Sequence, residues 1–416
     1  MKRFFAILLS VALLSALMSS CAESVELDYL TKQEITGSSS NVKAPHALLF
    51  YFVGTSLDSY FGRNISAVKS VVDGNILDNN RIAYFRRTSG STWAITEIYY
   101  DPASGSAVTE VLKTYEDADL SHMEVYLSDM VNLVPAESYG IVFGGHGSGW
   151  LPADLGSGWS SNYSQSAARR SSAPQYINPF GEAPREGALP TRFFGETGAM
   201  FDVDAIAENM ISAGVKFDYI IFDDCYMSNI ESLYALRHAT DYIIASPCEI
   251  MAEGFPYKYV IPSLFGGSKP DLEGVCRSFY EYYLHESGIP SGCVALTVCS
   301  ELDALAEAYR NIVTGPTATV DISQLQYYEG MSRHLFYDFG QYVEKLSVSS
   351  QQLEEFRVQF DRTFPESCRL HTPRFYTVFG SKSYIDVDYY SGVTISEPAD
   401  RNVELNRQTD WYRATH

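Results

Sequence analysis

Two residues of this sequence, His146 and Cys225, could act together as a general base and a thiol nucleophile. Each closely follows a short apolar segment, so each would lie where a buried strand ends. A thiol becomes a useful nucleophile as a thiolate, and a nearby imidazole or a helix amino terminus favours that form. Residues 228–242 carry apolar side chains at helical spacing, which predicts a helix just after Cys225 whose dipole favours negative charge there.

The backbone around this pair could stabilise a developing oxyanion. Gly147 has no side chain to shield its amide, so the N–H groups of Gly147 and Cys225 could both bind a substrate carbonyl. Taken alone, each residue has a simpler interpretation, since histidines beside glycines are common in loops and small cysteines commonly fill cores. A metal hydrolase built on His146 is disfavoured, because no second histidine stands at ligand spacing.

The elements that must position these residues alternate between strands and helices. Strands are predicted at residues 47–53, 81–86, 94–100, 139–143, 217–222, 293–299 and 384–395. Helices are predicted at residues 59–72, 202–214 and 121–135, the last with capping-box spacing of Ser121 and Glu124. The alternation predicts an α/β sandwich with a mainly parallel central sheet, which binds ligands at the carboxyl ends of its strands. His146 and Cys225 would lie at two such ends.

Composition limits the class of protein and its partners. The chain has 416 residues, of which 46% are hydrophobic and 14% aromatic, enough for a large packed core. Its formal net charge of −21 would repel phosphate backbones, and no basic stripe offsets that field. Nucleic acid is therefore not a predicted partner.

The first residues are typical of an export signal. A positively charged start is followed by an apolar run over residues 4–18, which ends in a Met-Ser-Ser-Cys box similar to that of bacterial lipoproteins. This pattern predicts a signal peptide over residues 1–20, a lipid on Cys21 and a tether over residues 21–44, hence a protein anchored in the bacterial cell envelope. A plain secretory signal with an incidental cysteine is the alternative.

The other cysteines are widely spaced. No C-x-x-C pair occurs, so neither a zinc site nor a dense disulfide framework is predicted. One or two disulfides remain open among those that follow Cys225. They are Cys248, Cys276, Cys293, Cys299 and Cys368.

Two sequence blocks resemble a known family. Residues 139–150, Tyr-Gly-Ile-Val-Phe-Gly-Gly-His-Gly-Ser-Gly-Trp, resemble the histidine block of the clostripain family of cysteine peptidases. Residues 217–231 resemble its cysteine block, including the Asp two places before the Cys and the later Met and Glu. Weaker similarity covers the helix at 121–135 and the carboxyl-terminal segment 391–411.

The resemblance implies a fold and a reaction. The fold is a caspase-like α/β/α sandwich shared with gingipains and legumains, with a peptidase core over residues 45–265 and an α/β extension over residues 266–416 packed on it. The reaction is cysteine endopeptidase hydrolysis, with His146 as general base and Cys225 as the nucleophile that forms a thioester. No cofactor is indicated, and a calcium requirement is left open.

The resemblance also implies cleavage after Arg or Lys. Asp223 is the best-placed carboxylate to receive the basic side chain, with Glu249 and Glu253 as candidates to assist it. Asp223 could instead only orient the loop. Two departures from the family bear on this: Asp224 stands where Ala is usual, which could raise the pKa of the thiol, and the acidic and Pro-Gly segment is altered over residues 245–255.

A long linker separates the two catalytic blocks. Residues 150–198 lack periodicity, and family members are processed in this linker. A basic-specific site beside an arginine-bearing loop predicts a zymogen that cuts itself there, with Arg169 and Arg170 as the first choice because small residues flank them. A passive insert is the alternative. Two further linker arginines are Arg185 and Arg192.

One other function class remains open. A non-catalytic envelope lipoprotein could use the peptidase fold as a binding module, since folds do not determine function. Retention of both His146 and Cys225 argues against it, because a degenerate homologue could lose either. A thiol-reactive inhibitor probe would distinguish the two.

Overall fold

A computed structural model of the chain describes residues 43–152, 180–192 and 202–416, and the backbone of residues 176–177 and 195–196. The predicted signal peptide, Cys21, almost all of the tether, and the Arg169 and Arg170 pair lie outside the described residues. No helix within the described ranges is both long and apolar enough to cross a membrane.

A nine-stranded sheet forms the centre of the described residues, in the order β12-β10-β9-β8-β5-β1-β2-β3-β4. Strands β2, β1, β5, β8 and β9 are parallel, and antiparallel strands flank them on both sides. The described strands are β1 (Ala44–Phe52), β2 (Arg81–Ser89), β3 (Thr92–Asp101), β4 (Ser106–Tyr115), β5 (Ala136–Gly144), β6 (Tyr176–Ile177), β7 (Gly195–Glu196), β8 (Phe217–Asp223), β9 (Thr240–Ala245), β10 (Cys293–Val298), β11 (Tyr337–Asp338), β12 (Leu370–His371), β13 (Arg374–Tyr376), β14 (Tyr384–Asp386) and β15 (Thr394–Ile395).

Helices pack around this sheet. The described α-helices are α1 (Asp58–Val72), α2 (Met123–Leu133), α3 (Val203–Ser212), α4 (Ile230–Ala235), α5 (Tyr257–Phe265), α6 (Leu272–Glu281), α7 (Leu302–Val313), α8 (Phe339–Lys345), α9 (Ser350–Thr363), α10 (Val403–Asn406) and α11 (Asp410–Thr415). Single turns of 3-10 or π type lie at Thr55–Leu57, Tyr282–Glu286, Cys299–Glu301, Ile322–Gln324 and Glu366–Cys368. Helix α1 packs on α5 and α5 on α6, while α2 packs on α3.

Burial explains why the central strands carry continuous apolar runs. β1, β5 and β8 are buried at nearly every position, although successive side chains of a strand point to opposite faces. Both faces of the central sheet are therefore covered, as a parallel sheet requires. The predicted α/β sandwich with a mainly parallel central sheet is confirmed, and antiparallel strands at both edges are added to it.

Some predicted elements are wrong. Residues 228–242 are not one helix: α4 ends at Ala235, and the β-branched and aromatic run that follows forms β9. Residues 384–395 are not one strand, because a turn with Gly392 at φ 83° divides β14 from β15. The capping box does not form either, since α2 has His122 at its N-cap position without a side-chain cap, and the hydroxyl of Ser121 donates to Asp119. β4 was not predicted.

Candidate active site

The sheet brings three loops to one edge. Gly144, the last residue of β5, pairs with Phe52 at the end of β1 and with Asp223 at the end of β8. The three strands are parallel, so their carboxyl ends lie side by side. His146 follows one of these ends and Cys225 another, which is the juxtaposition that the sequence predicts.

Gly147 lets the two catalytic loops approach closely. A Cβ atom on Gly147 would lie 2.9 Å from the Cys225 nitrogen and would collide with the Cys225 carbonyl. A residue with a side chain would therefore push the histidine loop away from the cysteine loop. The Gly147 N–H donates to the Arg192 carbonyl at 3.1 Å, so the amide expected to bind an oxyanion already holds a peptide carbonyl of the chain itself.

Cys225 is fully buried in this structure. Its sulfur accepts a hydrogen bond from the Ile250 N–H at 3.2 Å, and the thiol donates to the Ile250 carbonyl at 3.6 Å. Burial, and then the Glu249 carboxylate, raise the pKa of the thiol well above its ordinary value. The thiol form is therefore strongly favoured in this arrangement.

The expected helix dipole does not act on Cys225. Helix α4 is short, begins at Ile230 and is capped by the Asn229 side chain, which accepts from the Ser232 N–H. The chain turns sharply between Cys225 and α4, where Tyr226 adopts the left-handed backbone conformation at φ 62°.

His146 lies at the surface of the site. The ring is half-buried, and its Nε2 atom is 2.8 Å from the hydroxyl of Ser56, in the turn that follows β1. This contact joins the imidazole to the turn that follows β1. Ser56 carried no signal in the sequence.

Arg192 of the linker fills a buried pocket beside the catalytic loops. Its guanidinium is fully buried, and its Nη1 atom lies 3.0 Å from both the carboxylate and the backbone carbonyl of Asp223. Its Nη2 atom donates to the Asn64 side-chain oxygen at 3.0 Å, and its Nε atom to the Ala252 carbonyl at 3.3 Å. We call these three residues, Asn64, Asp223 and Ala252, the arginine pocket.

The backbone before Arg192 is bound as an added strand. The Arg192 N–H donates to the Ile250 carbonyl at 2.9 Å, and the Ala252 N–H donates to the Pro190 carbonyl at 3.1 Å. This antiparallel pairing is the usual way in which an extended peptide binds to a protein edge. The side chain, the backbone N–H and the backbone carbonyl of Arg192 are therefore all bound by other parts of the chain.

Asp223 makes the arginine pocket acidic. Its carboxylate also accepts from the Tyr257 hydroxyl at 2.6 Å and from the Phe255 N–H at 3.1 Å. Burial raises the pKa of Asp223, whereas the Arg192 guanidinium, the Tyr257 hydroxyl and the Phe255 amide each lower it. Gly254 forms one side of the arginine pocket. A Cβ atom at this position would collide with the Arg192 guanidinium and the Asp223 carboxylate.

The other two predicted substrate-binding carboxylates are placed differently. Glu249 is fully buried, accepts from the Thr191 hydroxyl at 3.0 Å and from the Val378 N–H at 3.0 Å, and burial raises its pKa to about 7. It therefore anchors the segment that pairs with the linker. The Glu253 side chain is exposed, and its backbone carbonyl accepts from the Asn64 amide at 2.9 Å.

Asp224, beside Cys225, ties the loop that carries Cys225 to the loop that carries His146. Its Oδ1 atom accepts from the Gly145 N–H at 2.5 Å. Burial raises the pKa of Asp224 to about 8, which favours the neutral form of the carboxyl. The extra negative charge that the sequence places next to Cys225 is reduced accordingly.

The described linker arginines have different surroundings. Arg185 is bound by backbone carbonyls, of which that of Lys382 lies at 2.9 Å and that of Thr377 at 3.1 Å. Arg192 alone of the described pair lies in the arginine pocket.

Among the described residues, no group of three or more His, Cys, Asp or Glu side chains could hold a metal ion.

Comparison with known proteins gives consistent results. The model of the clostripain family matches residues 195–409. No curated protein sequence matches the chain.

Solved structures share the fold over nearly the whole chain. A secreted C11 cysteine protease from Bacteroides thetaiotaomicron, iotapain, is 33% identical over 90% of this chain and 100% of its own, with a TM-score of 0.75. An inactive zymogen C11 protease from Parabacteroides distasonis is 26% identical over 90% and 99%, with a TM-score of 0.72. Another secreted C11 cysteine protease from B. thetaiotaomicron, with an irreversible peptide inhibitor bound, is 23% identical over 89% and 98%, with a TM-score of 0.71. The predicted caspase-like fold is confirmed.

Proposed function

Since this chain belongs to the clostripain family of cysteine peptidases, we propose that it hydrolyses peptide bonds after basic residues, with His146 as base and Cys225 as nucleophile. The chain is made as a zymogen in this proposal. Its first substrate is its own linker, and the bond cut is the one after Arg192.

The position of Arg192 carries the proposal. Burying a guanidinium is costly unless its charge and its hydrogen bonds are matched, and the arginine pocket matches both. The Arg192 carbonyl is meanwhile held by the Gly147 N–H, in the loop that carries the base. A substrate arginine in the same place would present its carbonyl to the same amide.

The proposed reaction proceeds by acyl transfer. His146 takes the proton of the Cys225 thiol, and the sulfur attacks the carbonyl carbon of the bound basic residue. The Gly147 amide stabilises the resulting oxyanion, with the Cys225 amide as second donor. The intermediate expels the amine, which receives the proton from His146, and water then hydrolyses the thioester. The mechanism uses no cofactor.

The uncut chain is poorly set for attack on other substrates. Its arginine pocket is occupied, and the Cys225 thiol is bonded to Ile250 and held in its protonated form. Release of the 190–192 segment would vacate the pocket and admit water to the sulfur. Cleavage after Arg192 in place of Arg169 or Arg170 thus couples processing directly to activation.

Cleavage specificity tests the proposal. In a peptide library, the processed enzyme should cut after Arg or Lys, and Asp223→Asn should lower kcat/KM for such peptides about 100-fold, because the buried cation loses its counter-charge. Glu253→Gln, which removes an exposed carboxylate nearby, is the matched control and should change kcat/KM little. Cuts that follow small or acidic residues would refute the basic pocket.

We also propose that the chain is exported and lipid-anchored through Cys21. The secreted relative that is 33% identical supports export, and the Met-Ser-Ser-Cys box supports the anchor. Cys21→Ser should move the protein from the membrane to the soluble fraction, since acyl chains on the cysteine would supply the membrane affinity. Cys299→Ser is the control for loss of a thiol. Unchanged membrane partition of Cys21→Ser would contradict the anchor.

A further inference from the structure

Asn64 is a buried polar residue on an otherwise apolar helix face. It lies in α1 beside the buried Phe61 and Ile65 and is only 7% exposed. Its side-chain N–H donates to the Glu253 carbonyl, which can only accept. The amide oxygen must therefore face the Arg192 guanidinium, which can only donate, and it accepts from Nη2 at 3.0 Å.

The acceptors of the arginine pocket fit the shape of a guanidinium. Asp223 binds one terminal nitrogen, Asn64 the other, and the Ala252 carbonyl binds Nε along the edge of the plane. A lysine ammonium is a single point charge, with a carbon where arginine has Nε. An ammonium group that pairs with Asp223 cannot also donate to Asn64 and to the Ala252 carbonyl, because these acceptors lie around the rest of the guanidinium plane.

We propose that Asn64 is a specificity-determining residue that makes the pocket select arginine over lysine. With lysine bound, the Asn64 oxygen would be left buried without a donor, and a site built to hydrogen-bond a substrate group discriminates against ligands that lack it. The expected preference for arginine is about 10- to 100-fold in kcat/KM. This inference rests on the proposed function, since it assigns the pocket to the residue before the cut.

The test compares two fluorogenic peptides that differ only in Arg or Lys before the leaving group. The ratio of their kcat/KM values within one preparation does not depend on how much of the enzyme is folded. The wild type should favour arginine by at least about 10-fold, and Asn64→Ala should lower that ratio by about 10-fold. Asn64→Asp keeps an acceptor for Nη2 and should keep the preference for arginine.

Asn406→Ala is the matched control. Asn406 is equally buried, at 4% exposure, but its side chain donates to Glu231, so its loss should leave the ratio unchanged. Equal cleavage of both peptides by the wild type, an unchanged ratio in Asn64→Ala, or a lost preference in Asn64→Asp would overturn the role of Asn64 alone. Cleavage of neither peptide by the wild type would overturn the proposed function, and this inference with it.

Discussion

Cys225→Ala and His146→Ala are each expected to lower peptide hydrolysis by at least about 10⁴-fold, because nucleophile and base act as one unit. Without the sulfur no thioester can form. Without the imidazole, the thiol has no base, and its pKa is already raised by burial and by Glu249. The two losses should not add in the double variant, since either one stops the same step.

The measurement is the initial rate on a fluorogenic arginine peptide, with thermal unfolding to show that each variant is folded. Cys299→Ala is the matched control. Cys299 is also buried, but it follows β10, which runs antiparallel to β9 and ends at the opposite edge of the sheet. Hydrolysis by purified Cys225→Ala at more than about a hundredth of the wild-type rate would refute the thioester mechanism.

Arg192→Ala is expected to abolish self-cleavage in the linker. Of the arginines that the structure describes in this linker, Arg192 has its side chain in the arginine pocket and its carbonyl on the Gly147 amide. A bond already held against the catalytic loops reacts intramolecularly and far faster than one that must find them. Alanine retains neither the charge nor the hydrogen bonds that hold residue 192 in place.

Electrophoresis and terminal sequencing of the purified proteins would measure this. The wild type should give two fragments, the second beginning at Phe193, and Cys225→Ala should remain one intact chain. The cleavage rate constant should not change with protein concentration, because each chain carries its own bound substrate. Arg185→Ala, which alters another linker arginine, is the control and should still be cut.

Other fragment patterns would decide against this site. A second fragment beginning at Arg170 or Ser171 would move the cut to the Arg169 and Arg170 pair that the sequence favours. The same fragments in the wild type and in Cys225→Ala would show that another protease makes them. Loss of cleavage in Arg192→Ala with normal cleavage in Arg185→Ala would support the assignment made here.

Local sequence patterns were sufficient to predict the central fold and to place His146 and Cys225 after neighbouring strands of one sheet. A strand buried on both faces needs a continuous apolar run, and the strands before His146 and Cys225 have such runs. Parallel strands place their carboxyl ends at one edge of a sheet, so the position of each residue after its strand predicts that the two are neighbours. This argument needs only short-range periodicity and a general rule of topology.

Competing local preferences explain the errors. The apolar residues of 228–242 fit helical spacing, but Thr240, Tyr242 and Ile243 also suit a strand. Pairing with β8 in the sheet favoured the strand. The helix is also short and begins at Ile230, beyond the predicted start, so the dipole effect expected at Cys225 is lost. Ser121 had the right spacing for a cap, but the helix begins at Met123 with His122 at the N-cap position, and the Ser121 hydroxyl donates to Asp119 instead.

Only the tertiary structure determined the arginine pocket. The sequence singled out Asp223 but could not show that Asn64, 128 residues before Arg192, would share the same guanidinium. The sequence favoured Arg169 and Arg170, because small flanking residues can be recognised locally. Binding of an arginine in a pocket formed by distant residues cannot be recognised in that way. The physical reason is that such a contact depends on how separate loops and a helix are placed by the whole sheet, and no local pattern records that placement.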